Sequence, residues 1–395
     1  MNHYKYIIIG GGMTGDAAVK GIREIDAHAP IAMISMESHP PYARPPLTKG
    51  LWKNTPEEKI CKITDAQNVE IMLNTRVVSI NSDKSISLDS GNILFYEKLL
   101  LATGGNTINL PFGSENIIYY RTFEDYKKLR TISDKKNNFV VIGGGFIGSE
   151  IAAALSMNGK KVTMIFPGKF IGERIFPHEL AVYVTEYYEK KGVEIITSDS
   201  VISLDDKNGI FVLKTKNGKA ISTECVIGGI GIKPAISLAE IAGIKTDNGI
   251  IVDEFLKTNI EDIYAAGDVA NFYNPLLDKR MRVEHEDNAN KMGKQAGRDM
   301  AGSNEPYHYL PFFYSDMFDL GYEAVGELNP KLEIVEDWKD KFKEGVIYYL
   351  KDGRVRGVLL WNVWGQVEEA KKLIAEKGPF KSADLKGRLP IKKNK

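Results

Sequence analysis

The chain has 395 residues, which at roughly 150 residues per domain gives two to three domains and room for a large core. Hydrophobic residues make up 43% and charged residues 26%, excluding a disordered or low-complexity chain. Lysine plus arginine and aspartate plus glutamate each total 52, a balance that disfavours a nucleic-acid binder, and two cysteines, Cys61 and Cys225, exclude a Cys-x-x-Cys zinc ribbon or dithiol centre.

The chain opens MNHYKYIIIGGG, an apolar run too short and too soon broken by glycine for a secretory leader. No later stretch approaches about 18 apolar residues, so the expectation is a soluble, cytoplasmic protein with no membrane span. Residues 6–15 read as a β-branched strand running into Gly-x-Gly-x-x-Gly at Gly10, Gly12 and Gly15. A helix over 16–25 and a strand over 31–36 complete a βαβ unit. Strands are expected over 75–87 and 93–101, the second closing at Ala102-Thr103-Gly104.

The opening pattern then returns. Residues 140–148 repeat strand and glycine turn at Gly143, Gly145 and Gly148, followed by a helix over 149–158 and a strand over 161–166. A pyrophosphate must approach backbone N–H groups at a helix N-terminus, where a side chain would obstruct it, so two such turns in strand-turn-helix context predict two dinucleotide sites. Glu37, after the second strand, is placed to accept from a ribose hydroxyl. The second unit has no such acid before Glu173, so NADH and NADPH both stay open, with Lys169 or Arg174 available to a 2′-phosphate. Glu150 lies among small and apolar residues in the first turns of its helix and needs a cation nearby.

Further strands are expected at 193–197, 200–204 and 210–216, with Lys216-Asn217-Gly218-Lys219 as a hairpin turn, then at 225–234 and 263–268. From about residue 310 aromatics crowd together: Phe312, Phe313, Tyr314, Phe318 and Tyr322. Residues 366–377 read as an exposed helix, and 381–395 as a solvated basic tail, with an acceptor-docking face as the alternative.

The two glycine turns, Ala102-Thr103-Gly104 and Tyr264-Ala-Ala-Gly-Asp268 together resemble the flavoproteins with two dinucleotide-binding domains, over about residues 4–310. Within them, Arg44-Pro-Pro-Leu-Thr-Lys49 is similar to the signature of ferredoxin, rubredoxin and putidaredoxin reductases and of apoptosis-inducing factor. Arg282-Val-Glu-His-Glu-Asp287, residues 314–326 and Val358-Leu-Leu-Trp-Asn362 bring the last of these nearest in motifs. Disulfide reductases carry a cysteine pair in this region and coenzyme A-disulfide reductases a single redox cysteine. Here Cys61 falls beyond the signature, so thiol chemistry at the flavin is not expected. Two departures stand out: the acid after Phe-Pro is Gly168 here, and the aromatic that is usually tryptophan is Tyr314.

The resemblance implies FAD on Gly10, Gly12, Gly15 and Glu37, with Arg44 and Lys49 toward the flavin and Val77 at the adenine. Thr103, Gly104 and Arg121 would line the cofactor, Asp268 would meet the ribityl chain, and Glu284, His285 and Tyr314 would lie near the isoalloxazine. NAD(P)H would lie on Gly143, Gly145, Ile147, Gly148, Glu150, Lys169 and Gly231. Lys49 would pair with Glu150, and Lys49, Glu150, Glu284 and His285 are the expected catalytic groups; no metal is expected.

The expected fold is α/β, with two Rossmann-like domains of the glutathione-reductase type plus a C-terminal α+β domain. The FAD domain would span 1–112 and 246–309, the NAD(P)H domain 113–245, and a C-terminal domain of dimer-interface type 310–395. The expected activity is hydride transfer from NAD(P)H to FAD, then electron delivery to an external acceptor such as a small iron–sulfur protein. A quinone or oxygen reductase, and a slow-turnover redox-responsive interaction protein, are the alternatives.

Overall fold

A computed structural model describes residues 2–64, 68–113 and 115–390. The chain divides into two compact units: Met1–Pro45, Pro56–Asn106 and Lys233–Pro311 form the first, and Pro46–Thr55, Thr107–Ile232 and Phe312–Lys395 the second.

The first unit is built on a sheet in the order Glu70–Met72, Ile31–Ile34, His3–Ile9 and Ile93–Leu101, all parallel. Ile93–Leu101 is long enough to serve two partners. Its early residues pair antiparallel with Ser85–Leu88, and its last three pair parallel with Ile263–Ala265. Strands covered on both faces read as apolar runs, and Ile7, Ile8, Ala32, Met33, Leu99 and Leu100 are fully buried. The single strand expected over 75–87 is instead a hairpin, Val77–Ile80 and Ser85–Leu88. Its polar turn Asn81-Ser-Asp-Lys closes with the Asn81 amide donating to Ser85 O at 2.8 Å.

The crossover helix Met13–Arg23 packs on Glu286–Met300 at a separation only glycine allows. A Cβ at Gly21, Gly293 or Gly297 would strike a backbone carbonyl of the facing helix, at Lys294, Thr14 and Ala18 respectively.

The second unit repeats the parallel plan: Glu194–Ile196, Lys161–Ile165, Asn138–Ile142, Cys225–Gly228 and Ile117–Tyr119, in that order. Val201–Lys207, Ile210–Thr215 and Ala220–Thr223 form a separate antiparallel sheet, with Gly218 at φ +84° in the expected hairpin turn. The C-terminal segment forms a five-stranded antiparallel sheet ordered Phe312–Met317, Leu320–Gly326, Arg354–Trp361, Glu344–Lys351 and Glu333–Asp340. Its aromatics are core: Tyr322 stacks on Trp361 at 6.0 Å, and Phe176 meets both edge-on.

Two expectations about the C-terminus are corrected. The helix Val367–Ala375 is not exposed all round, because Val367, Ala370, Leu373 and Ile374 form a buried stripe at helical spacing. The segment from Lys381 is not a solvated tail as far as Pro390: Leu385 and Leu389 are buried, and Arg388 pairs with Glu376 at 2.7 Å. Residues 391–395, which carry three of the expected basic residues, lie outside the described residues.

Candidate active site

In the first unit the strands His3–Ile9, Ile31–Ile34, Ile93–Leu101 and Ile263–Ala265 run parallel, so the residues following them converge at one edge of the sheet. Gly10 has φ +127°, and a Cβ there would strike the Ala102 carbonyl, while a Cβ at Gly15 would strike the Gly10 carbonyl. A Cβ at Gly12 meets no described atom within 4 Å. The outer two glycines therefore close the turn, and the middle one leaves an approach open. Gly12 caps the helix Met13–Arg23 with no side-chain hydrogen bond, so the first amides keep their donors for a ligand.

Around this opening stand the other expected FAD residues of the unit. Gly267, at φ +78°, packs against the Thr14 side chain and seats the Asp268 turn over the first turn of the helix. Thr103 Oγ1 donates to Ala235 O at 2.9 Å, and the Ala235 amide donates to Gly104 O at 3.0 Å. Glu37 accepts from the Tyr42 hydroxyl at 2.5 Å and pairs with Arg44. Burial works to lower the Arg44 pKa, but the surrounding Tyr42, Glu37 and Asp268 more than offset it and the pKa is raised. The Asn74 amide donates to Glu37 O at 3.2 Å, and Val77, buried, begins the next strand. Glu284 pairs with Arg282 at 2.5 Å, Arg282 donates to Asp268 O at 3.0 Å, and His285 is the N-cap residue of Glu286–Met300.

The second unit repeats the cradle. A Cβ at Gly143 would strike the Gly229 carbonyl, and one at Gly148 the Gly143 carbonyl; Gly145 again meets nothing within 4 Å and caps its helix without a side-chain bond. Ile147 sits half-exposed in the first turn, and Gly231, at φ +102°, accepts from the Ile108 amide at 2.9 Å. Arg121 precedes the helix Phe123–Ser133, and its amide donates to Asp125 of the Thr122–Asp125 capping box at 3.1 Å. Lys169 is exposed, and its amide donates to Glu173 Oε2 at 2.8 Å.

Three side chains of this unit meet at one carboxylate. Glu150, with a side chain 4% exposed, accepts from Lys49 Nζ at 2.6 Å, from Thr48 Oγ1 at 2.5 Å and from Ser315 Oγ at 2.6 Å. The Tyr314 ring centroid lies 5.4 Å from the Lys49 ammonium. Glu150 is the fifth residue after the N-cap Gly145, beyond the first turn where the helix dipole acts strongly. What holds the carboxylate is therefore three side-chain donors, which occupy most of the roughly four lone-pair sites of a carboxylate. The Lys49–Glu150 pair is the one expected from the motifs, whereas Thr48 and Ser315 were not expected. Both lie in quoted motifs, yet a hydroxyl's partner across 102 or 165 residues has no local signature.

Buried charge raises the proton affinity of nearby phenols: burial first, and the charge of Glu150 next, hold Tyr188 and Tyr322 well above the ordinary tyrosine range. Among the described residues both cysteines are free; Cys61 is exposed, and burial pushes the Cys225 thiol up to about 12.

The profile of the pyridine nucleotide-disulphide oxidoreductases matches residues 4–293. The chain belongs to that family. A second profile, the C-terminal domain of mitochondrion-associated apoptosis-inducing factor, matches residues 331–376. Apoptosis-inducing factor 1 of Dictyostelium discoideum is 34% identical, over 95% of this chain and 79% of that protein. Monodehydroascorbate reductase 3 of Arabidopsis thaliana is also 34% identical, over 94% and 92%. The ferredoxin–NAD(+) reductase component of the anthranilate 1,2-dioxygenase system of Burkholderia cepacia is 32% identical, over 94% of each. Among solved structures, putidaredoxin reductase in covalent complex with putidaredoxin superposes with a TM-score of 0.89 at 28% identity, covering 96% of this chain and 94% of that one.

As a family member the chain is an FAD- and NAD(P)H-dependent oxidoreductase that passes electrons to an external partner and has no disulfide-forming cysteine pair. Its two open cradles, each at an uncapped helix N-terminus, fit the diphosphate of such nucleotides. The cytoplasmic expectation is corrected: the Dictyostelium relative and a Drosophila melanogaster relative are mitochondrial by name. That expectation rested on the lack of an apolar leader or span. Among the described residues no helix is long and apolar enough to cross a membrane, and this says nothing of the compartment.

Proposed function

We propose that FAD is held on the first glycine turn and NADH or NADPH on the second, and that the electrons leave to a small iron–sulfur protein. The carrying observation is the doubled cradle, in which Gly12 and Gly145, each between two glycines packed on backbone, leave the first helix amides approachable. When bound, FAD supplies hydride acceptance at flavin N5 and onward electron release.

The residues have separable tasks in this reading. The amides after Gly12 bind the FAD diphosphate, and Glu37, aligned by Tyr42 and Arg44, accepts from its ribose. Val77, Thr103, Gly104, Arg121 and Asp268 line the cofactor, and Glu284 and His285 flank its ring. Gly143, Gly145, Ile147, Gly148 and Gly231 receive the nicotinamide nucleotide, and Tyr314 shields the reacting centre from water. Lys49 supplies a fixed positive charge toward a flavin whose electron density rises on reduction, and Glu150 holds that ammonium in place. The division into an FAD domain at 1–112 and 246–309, an NAD(P)H domain at 113–245 and a C-terminal domain at 310–395 belongs to the same proposal.

The likeness to putidaredoxin reductase in complex with its partner supports the iron–sulfur acceptor. The match of residues 331–376 to the C-terminal domain of apoptosis-inducing factor favours a second reading, in which slow reduction yields a persistent reduced complex that alters partner binding. Stopped-flow mixing of the purified protein with NADH or NADPH, then with an oxidised ferredoxin or rubredoxin, separates the two. Fast bleaching and fast recolouring by the acceptor bear out the first; slow bleaching with a long-lived charge-transfer band bears out the second.

A further inference from the structure

The internal repeat lets the two nucleotide units be superposed in register. In the first, Ser35 directly follows the strand Ile31–Ile34 and packs against Gly11, and Glu37 stands three residues beyond the strand. In the second, Phe166 directly follows Lys161–Ile165 and packs against Gly144 in the same way, which puts Gly168 three residues beyond the strand. Gly168 therefore occupies the place of Glu37, where a carboxylate reads the ribose 2′-hydroxyl. It has no side chain to do so.

The structure fills that place from elsewhere. The Glu173 side chain turns back over Gly168, with its Cδ 2.8 Å from where a Gly168 Cβ would stand and one carboxylate oxygen closer still. The Lys169 amide donates to Glu173 Oε2 at 2.8 Å and fixes this return. With glycine at 168 the carboxylate lies against the backbone there, and a side chain at 168 would require it to move aside.

We infer that Glu173 is the specificity-determining residue of the second site, its carboxylate accepting from the adenosine ribose and selecting NADH over NADPH. The inference rests on the proposal that a nicotinamide nucleotide lies on the second glycine turn. A 2′-phosphate entering here meets the Glu173 carboxylate, whose like charge opposes it.

The test is calorimetric titration of the oxidised, FAD-loaded protein with NAD+ and with NADP+, in wild type, Glu173→Gln and the double variant Gly168→Glu/Glu173→Ala. Wild type is expected to bind NAD+ about tenfold or more tightly than NADP+, and Glu173→Gln to shrink that ratio by a similar factor. The double variant, which moves the acid to position 168, restores the preference. Glu173 is exposed, so Glu173→Gln should melt with wild type. Equal or tighter NADP+ binding in wild type, or a ratio unmoved in Glu173→Gln, overturns the inference while leaving the second site standing. Failure of both nucleotides to bind overturns the site and the inference together.

Discussion

The carboxylate of Glu150 concentrates the chemistry that single residues contribute. Burying an ion pair is costly unless its remaining hydrogen-bond capacity is filled, and here Thr48 and Ser315, both buried, fill it. Removing the ammonium leaves Glu150 with two hydroxyl donors but no countercharge, which is expected to cost about 3–5 kcal/mol of stability while deleting the positive charge. Lys49→Ala is therefore expected to slow flavin reduction by NADH on the order of tenfold to hundredfold, read by stopped-flow absorbance, with near-native circular dichroism. An unchanged rate would remove Lys49 from the hydride step. The glycines separate in a similar way. Gly12→Ala adds a methyl group where the protein has no atom, so it should fold normally and bind FAD more weakly. Gly15→Ala drives a methyl group into the Gly10 carbonyl and should lower the melting temperature of the apoprotein as well. Thermal melts of both apoproteins, with FAD titrations of each, check the distinction.

Elements differed in how far they could be read from sequence. The two βαβ units were legible because buried parallel strands are apolar runs and because the glycine spacing is tied to a turn geometry that few sequences satisfy. Pairings between distant elements were not. Nothing local marks Gly293 and Gly297 as the groove for Met13–Arg23, since a glycine in a helix reads first as a weakness and only the facing backbone gives it a purpose. The hairpin at Val77–Ile80 and Ser85–Leu88 merged into one expected strand because its turn is short and polar within an otherwise alternating run. The helix Val367–Ala375 read as exposed because its charges are conspicuous, whereas its burial depends on a sheet assembled from residues 312–361. In the site, Lys49 and Glu150 were legible through motifs, and the return of Glu173 to Gly168 was not, because it depends on a loop's path rather than on spacing.

Across the whole molecule, the two cysteines in 395 residues are both free and form no pair for a dithiol relay. Cys225 opens an interior strand of the second unit's parallel sheet, and its thiol is pushed up to about 12 by burial, so it stays protonated and inert at neutral pH. The unfolded chain gives up this proton first, so the contribution present below about pH 9 is lost as pH rises toward about 12, on the order of 4 kcal/mol at the upper end. Tyr96, raised to about 12 by burial, adds to the same alkaline loss. Denaturant titrations between pH 8 and 11 should show falling stability with a shallower slope in Cys225→Ala. The balanced charge of the chain, by contrast, carries no information about the acceptor, because docking depends on where charges stand.

On the proposed route electrons pass through the flavin to an outside acceptor with no thiol in the path. The most direct measurement is anaerobic stopped-flow absorbance of the Cys61→Ser/Cys225→Ser variant, mixed first with NADH and then with oxidised ferredoxin. Bleaching and recolouring of the flavin at wild-type rates is the predicted result. A variant that still binds FAD but no longer passes electrons to the acceptor would contradict it.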